Sequence, residues 1–278
     1  VIFLLGGHGF VGSGFARVLT QRGEPFEIVT RANYADFVGR ECNLFINANG
    51  NSSKVLARND PKFDFAASVG SVRDTLIDFQ FDHYLYLSSG DVYPDCSSLE
   101  LTREEATIDC RQQSVYGFHK SLAEQCVQYG AQRWTIVRQG GFVGPGLRKN
   151  AVFDVLHGDR IWVHPDSRFQ FIHTDASAAA CLELAREGAP NEVYNLTASG
   201  TVSVREVMEL AGRMKSAPDD AAQAVYEMST AKASAMISLP SSRDCVRRFL
   251  DEEGIPVSGR GRPETVGQLR ADERGRDG

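Results

Sequence analysis

The chain opens Val1-Ile2-Phe3-Leu4-Leu5-Gly6-Gly7-His8-Gly9-Phe10-Val11-Gly12, and this stretch decides the fold. Val1–Leu5 is apolar throughout, as a strand buried on both faces must be. The glycines at 6, 9 and 12 follow it directly. Beyond them Val11, Phe15, Val18 and Leu19 recur at helical spacing as far as about Arg22. A strand, a glycine turn and a helix in that order form a phosphate site. One glycine permits the tight turn, another lets a pyrophosphate approach the backbone, and a third lets helix and strand pack closely. The helix start adds unpaired N–H groups and a partial positive charge. We therefore expect a dinucleotide here, with Gly6, Gly9, Phe10, Val11 and Gly12 around it. His8 reads as a solvent-facing loop residue.

Working outward, short apolar runs alternate with helical patterns. Strands are expected at Phe26–Thr30, Leu44–Asn47, Tyr84–Ser88, Thr135–Arg138 and Val193–Leu196. Helices are expected at about 61–78, with Phe65, Val69, Val72 and Leu76 on one face, at about 116–129 and at 204–214. This alternation predicts an α/β fold, a doubly wound parallel sheet with helices on both faces. The texture changes after Gly141, and Gly144-Pro145-Gly146 breaks the chain. The expected organisation is a dinucleotide-binding unit at 1–143, a smaller substrate lobe at 144–253 partly interleaved with it, and a flexible tail at 254–278. That tail is rich in Gly, Arg, Asp and Glu and carries little apolar surface to offset its ordering entropy.

The 278 residues include 30 basic and 36 acidic side chains, a net charge of −6, which argues against nucleic acid as the main partner. No apolar run is long enough for a membrane span and no secretory leader is evident, so a cytoplasmic protein is expected. The six cysteines lie far apart with no CxxC pair, which points to reduced thiols rather than a metal site.

Further motifs follow the glycine turn in order. Tyr84-Leu-Tyr-Leu-Ser-Ser-Gly-Asp-Val-Tyr93 places Ser89 three residues before Val-Tyr. Tyr116-Gly-Phe-His-Lys120 sets a tyrosine and a lysine four apart, on one helix face. Gly144-Pro145-Gly146 and Phe171-Ile-His-Thr-Asp175 come later. Together these motifs, over about residues 1–250, resemble the extended branch of the short-chain dehydrogenase/reductase superfamily, the nucleotide-sugar-modifying epimerase/dehydratase family. The resemblance implies a Rossmann-like fold and catalysis by Tyr116, Lys120 and Ser89. Tyr116 would exchange a proton with a substrate oxygen, Lys120 would favour the phenolate and bond the nicotinamide ribose, and Ser89 would hold the same oxygen.

At the second strand end the sequence Ile28-Val29-Thr30-Arg31 holds no acid to bind an adenosine 2′-hydroxyl. Arg31 suits a 2′-phosphate, so NADP is expected ahead of NAD. Thr30, Asn47 and Ala48 join the expected cofactor residues, and the asparagines at 47, 49 and 51 are expected to face the cleft. Only a short link separates Thr30 from Leu44, where the family fits a further strand and helix. Gly141 stands where the family has asparagine, and Phe169 where it often has the diphosphate arginine, with Arg168 one residue away. Substrate-side candidates are Asp91, Tyr93, Arg148, Lys149 and Arg168. His173 reads as a packed strand-end residue.

Members resembling this chain mostly act on nucleoside-diphosphate sugars. A 4,6-dehydratase usually carries Thr-Asp-Glu where this chain has Ser89-Gly90-Asp91, which disfavours dehydration. The expectation is an NAD(P)-dependent oxidoreductase or epimerase on a nucleotide-linked sugar, with 4-keto reduction ahead. Retained-NAD 4-epimerisation and a non-catalytic NADP-binding sensor or scaffold are the alternatives. A homodimer is implied, with Val69, Val72, Leu76 and Leu122 supplying its apolar surface.

Overall fold

The structure is a computed structural model and describes residues 1–257. Its strands are β1 (Ile2–Leu5), β2 (Phe26–Val29), β3 (Glu41–Asn47), β4 (Gln80–Ser89), β5 (Trp134–Gln139), β6 (Gly141–Val143), β7 (Arg168–Phe169), β8 (Phe171–His173), β9 (Glu192–Leu196), β10 (Val202–Ser203) and β11 (Val225–Tyr226). Six of them form one parallel sheet in the order β2-β1-β3-β4-β5-β9. Register aligns the strand ends: Leu5 pairs with Val29 and Asn47, Ser89 with Gln139, and Gln139 with Leu196. The carboxyl edge is therefore one rim. The strand order reverses between β1 and β3, and ligands of open α/β sheets bind at such a switch point. Only β2 lies outside β1, because the link from Thr30 to β3 holds a single short helix, Tyr34–Phe37.

Alternate residues of β1 feed opposite cores. Ile2 and Leu4 pack with Phe15, Val18 and Leu19 of the Gly12–Gln21 helix on one face. Phe3 and Leu5 pack with Phe45, Val72, Leu76, Ala123 and Val127 on the other. With both faces covered, no position on the strand can be polar.

The chain beyond Gly141 contributes β9 to the main sheet, the parallel pair β6-β8 and the small sheet β10-β7-β11. From residue 258 the tail expected at 254–278 lies outside the described residues. Among the described residues no helix is long and apolar enough to cross a membrane.

The helical segment at 61–78 departs from its expected form. It runs as Pro61–Phe65, a π-helical stretch Ala66–Gly70, and Ser71–Asp78. A π turn holds more residues than an α turn and rotates what precedes it. Val69, Val72 and Leu76 are buried in the core, whereas Phe65 is 46% exposed. The three buried residues are thus committed to this chain's own core and cannot be the dimer surface expected of them.

Candidate active site

The rim is built first by backbone. Gly6 leaves β1 at φ 82°, and a side chain there would come within 2.8 Å of the Ala48 carbonyl. A side chain at Gly12 would collide with the Gly6 carbonyl. Gly9 donates to Gly6 O at 2.9 Å and is otherwise open. The Ala48 amide donates to Leu5 O at 3.0 Å, tying the ends of β1 and β3 together. The Gly12–Gln21 helix starts at Val11 without a side-chain cap and without an acid in its first turn. Ser13 N donates to Gly9 O at 2.8 Å and Gly14 N to Val11 O at 3.0 Å, so what the helix start offers an anion is the positive end of its dipole. The backbone around Gly6, Gly9, Phe10, Val11 and Gly12 thus leaves the space that a dinucleotide pyrophosphate would need.

The asparagines behave differently from expectation. Asn47 is fully buried; its amide donates to Tyr84 Oη at 2.7 Å and its oxygen accepts from Asn49 N at 3.0 Å. Asn51 donates to Asp64 Oδ1 at 2.8 Å and to Ser53 O at 2.9 Å, and Asn49 donates to Ser71 Oγ at 3.4 Å. These side chains brace the loop after β3 rather than face the cleft, because inward polar groups there had partners to satisfy. At the end of β2, Asn33 folds back to accept from Thr30 N at 2.6 Å and to donate to Ile28 O at 3.0 Å. Arg31 beside it is exposed. Asn33 escaped sequence reasoning, although asparagine closing a turn onto a backbone amide two or three residues away is a known pattern.

The Val115–Gly130 helix carries the tyrosine and lysine, and Ser114 caps it by accepting from Gly117 N at 3.1 Å. A side chain at Gly117 would collide with the Asp91 carbonyl. That glycine lets the helix start press onto the Gly90–Val92 turn, which brings Tyr116 to Ser89. Tyr116 is buried, and burial raises its pKa; the Asp91 charge adds to this, while a hydrogen bond with Ser89 opposes it. Ser89 Oγ also accepts from Asp91 N at 3.2 Å. Lys120 is buried, with Nζ donating to Tyr86 Oη and Leu87 O, both at 3.4 Å. Burial lowers its pKa to about 8, against the pull of Asp64 and Glu124. In the chain alone, burial dominates at Tyr116, with the Asp91 and Asp64 charges adding to it and Ser89 opposing it. One turn on, Glu124 accepts from Arg138 Nη2 at 2.8 Å and from Ser88 Oγ at 2.5 Å.

The substrate-side candidates divide. Asp91 stands at the rim, paired with Lys54 at 2.5 Å. Lys149 donates to Ser52 O, and Lys54 is close enough to depress its pKa, after burial as the larger cause. Tyr93 is buried; its hydroxyl accepts from Arg138 at 2.8 Å and donates to Asn195 at 3.0 Å. Engaged on both sides, it braces β4 against β5 and β9 instead of meeting a ligand. Arg168 is exposed on β7 and donates to Thr201 Oγ1 at 2.8 Å, and Arg148 is exposed. His173 is buried at the strand end, as expected, with Nε2 at 2.9 Å from Glu252. Lys54, Tyr226 and Met228 were not visible as site residues in sequence. A side chain at Gly90 would lie 2.6 Å from Tyr226 Oη and would collide with the Met228 sulfur.

The chain matches the profile of the NAD dependent epimerase/dehydratase family over residues 2–197. It belongs to that family. A curated relative, the GDP-6-deoxy-D-mannose reductase of Pseudomonas aeruginosa, is 28% identical over 143 residues, covering 46% of this chain and 47% of the relative. The chain thus matches just under half of that relative's length. Among solved structures, RMD from Pseudomonas aeruginosa complexed with NADPH is similar with a TM-score of 0.75 at 18% identity, covering 90% of this chain and 98% of that one. A UDP-galactose 4-epimerase is similar with a TM-score of 0.74 at 17% identity, covering 91% and 98%. These structural likenesses bear on the fold, which is that of the family.

Proposed function

We propose that the protein is a nicotinamide-dependent oxidoreductase acting on a nucleotide-linked sugar, with reduction of a 4-keto group as its reaction. The observation that carries this is the meeting of Tyr116 with Ser89: the buried tyrosine shares a hydrogen bond with the serine at the sheet rim, four residues before the buried Lys120, so two hydroxyls converge where a substrate oxygen would sit. Residues 1–143 would hold the cofactor through the glycine cradle, Ala48 and Lys120, and residues 144–253 would complete the substrate side. A nicotinamide held there would supply the hydride chemistry at the sugar carbon. Tyr116 Oη gives its proton to the sugar oxygen, and Ser89 Oγ holds that oxygen in line. Lys120 contributes a buried cation four residues further along the same helix, held by Tyr86 Oη and Leu87 O.

Dehydration is disfavoured on steric grounds. The position where a dehydratase carries its acid is Gly90, and Tyr226 and Met228 already fill the space a side chain would need. NADP is the proposed cofactor, since Arg31 is exposed just after β2 and the run Ile28-Val29-Thr30-Arg31 holds no carboxylate. The partial likeness to a GDP-6-deoxy-D-mannose reductase supports the same direction. A homodimer is proposed through the outer faces of the two helical segments at 61–78 and 115–130, where Phe63, Phe65, Ile77 and Phe118 are exposed. Light scattering at micromolar concentration should return twice the chain mass.

The deciding experiment offers a panel of nucleoside-diphosphate sugars and their 4-keto forms with NADPH. Reduction is expected to consume NADPH only with a keto substrate. Interconversion of two hydroxy sugars with no net NADPH loss would make the protein a retained-NAD epimerase. Tight NADPH binding with no turnover on any sugar would make it a sensor or scaffold.

A further inference from the structure

Asp64 is fully buried, and the fold does not need it as a cap: Asp60 caps the Pro61–Phe65 helix by accepting from Phe63 N. Burying a carboxylate is costly unless it is hydrogen-bonded, and this one has three donors. Oδ1 accepts from Asn51 at 2.8 Å and from Ser68 at 3.4 Å; Oδ2 accepts from His119 Nδ1 at 2.6 Å. The π-helical stretch Ala66–Gly70 carries Ser68. Phe65, just before it, packs edge-on against the His119 ring at 5.5 Å. His119 is the chain neighbour of Lys120. A side chain placed at Gly50 would meet Lys120 Nζ at 3.3 Å and Ser68 Oγ at 3.7 Å, so the lysine head and the Asp64 cluster share one small space.

We propose that Asp64, held by His119, Asn51 and Ser68, is the positioning residue that keeps Lys120 charged and seated among Gly50, Tyr86 and Leu87. The groups around the ammonium can be set out by element. From β4 come the Tyr86 hydroxyl and the Leu87 carbonyl. From the lysine's own helix come Tyr116, His119 and Glu124, and from the Pro61–Phe65 helix comes Asp64. Glu124 is already neutralised by Arg138. Asp64 accepts from neutral amide and hydroxyl donors on one oxygen and from the His119 ring on the other, with no guanidinium or ammonium bonded to it as Glu124 has, so it is the carboxylate assigned to offset the buried cation. This assignment rests on the functional reading of Lys120, but its test does not depend on turnover.

The test is a pH titration of the Lys120 side chain by heteronuclear NMR on the whole chain without cofactor, with Lys120→Arg to assign the signal. In Asp64→Asn the midpoint should fall from its wild-type value by about 1–3 pH units, the usual effect of losing an opposite charge nearby. His119→Ala should move it the same way by less. His119→Asn, whose amide can donate to the same oxygen, should restore it. An unmoved midpoint in folded Asp64→Asn overturns the proposal. Should that variant fail to fold, equal midpoints in His119→Ala and wild type overturn it instead. The expected midpoints in a wild-type protein that turns over no nucleotide-sugar would retire the functional reading and leave this one standing.

Discussion

The two walls of the cleft are made of different material. On the proposed cofactor wall, backbone does the work: Gly6, Gly9 and Gly12 leave room, Ala48 closes the loop, and no side chain caps the helix start. On the proposed substrate wall, side chains from distant segments do it. Lys54 reaches Asp91, Lys149 reaches Ser52, and Tyr226 and Met228 cover Gly90. A backbone wall tolerates only the residues that leave space, so it is strict. A side-chain wall can be repacked, so it is where substrate choice can change without loss of the fold.

The difference can be tested along the seam between the walls. Tyr116→Phe keeps the shape and removes the proton, so kcat should fall ~10²–10⁴-fold while NADPH titration stays unchanged. Activity within a few-fold of wild type would move proton transfer elsewhere. Gly9→Val should act on the other wall alone. Its first carbon lies 3.1 Å from Gly6 O, tight but tolerable, so the circular dichroism spectrum should persist. Loss of two phosphate bonds at ~1.5–3 kcal/mol each predicts at least about hundredfold weaker NADPH binding. Unchanged affinity in the folded variant would remove the cradle from the cofactor site.

Arg31→Ala should weaken NADPH at least about tenfold relative to NADH, from one lost charge-assisted bond. Equal losses of the two cofactors would instead assign Arg31 to stacking on the adenine.

Lys120 gives a pH signature. Its pKa is lowered to about 8, so the ammonium is lost as pH rises through that value. If the cation serves the cofactor, NADPH affinity should fall about tenfold per pH unit above the midpoint. The sign for stability is opposite. Between the folded pKa and the unfolded value of about 10.4, the unfolded chain binds more protons, so this group's contribution to stability rises with pH. Affinity and thermal midpoint should therefore part company on the alkaline side, and Lys120→Met should abolish the divergence.

The smallest effect is expected at Gly90→Ala, where the new methyl meets Met228 and Tyr226. Overpacking of this kind should destabilise by about 1–3 kcal/mol. Adding Met228→Ala should recover part of that loss in a thermal melt. Without recovery, Met228 is not what closes the wall.

How much of this was legible beforehand follows the same division. The parallel sheet could be read from continuous apolar runs, because a strand covered on both faces has no polar position. Ser89, Tyr116 and Lys120 were singled out by the family resemblance; spacing by itself says only that residues four apart on a helix share a face. The family resemblance drew on those same local patterns, and the match over residues 2–197 agrees with it. Phe65 was misplaced because a π turn adds a residue that apolar periodicity does not reveal. Tyr93 and Asn47 looked like ligand contacts because polar residues beside motifs look available. Their partners Arg138, Asn195 and Tyr84 lie 45, 102 and 37 residues away.

Local sequence alone determined the glycine cradle, the tyrosine–lysine helix and the layered α/β sheet, since each depends on residues within a turn or two of one another. Tertiary structure alone decided that Lys54 meets Asp91, that Met228 and Tyr226 cap Gly90, and that Asp64 gathers His119, Asn51 and Ser68. Those contacts join segments far apart in the chain. A residue's type states only which bonds it can make, and the folded backbone chooses which partner comes within reach.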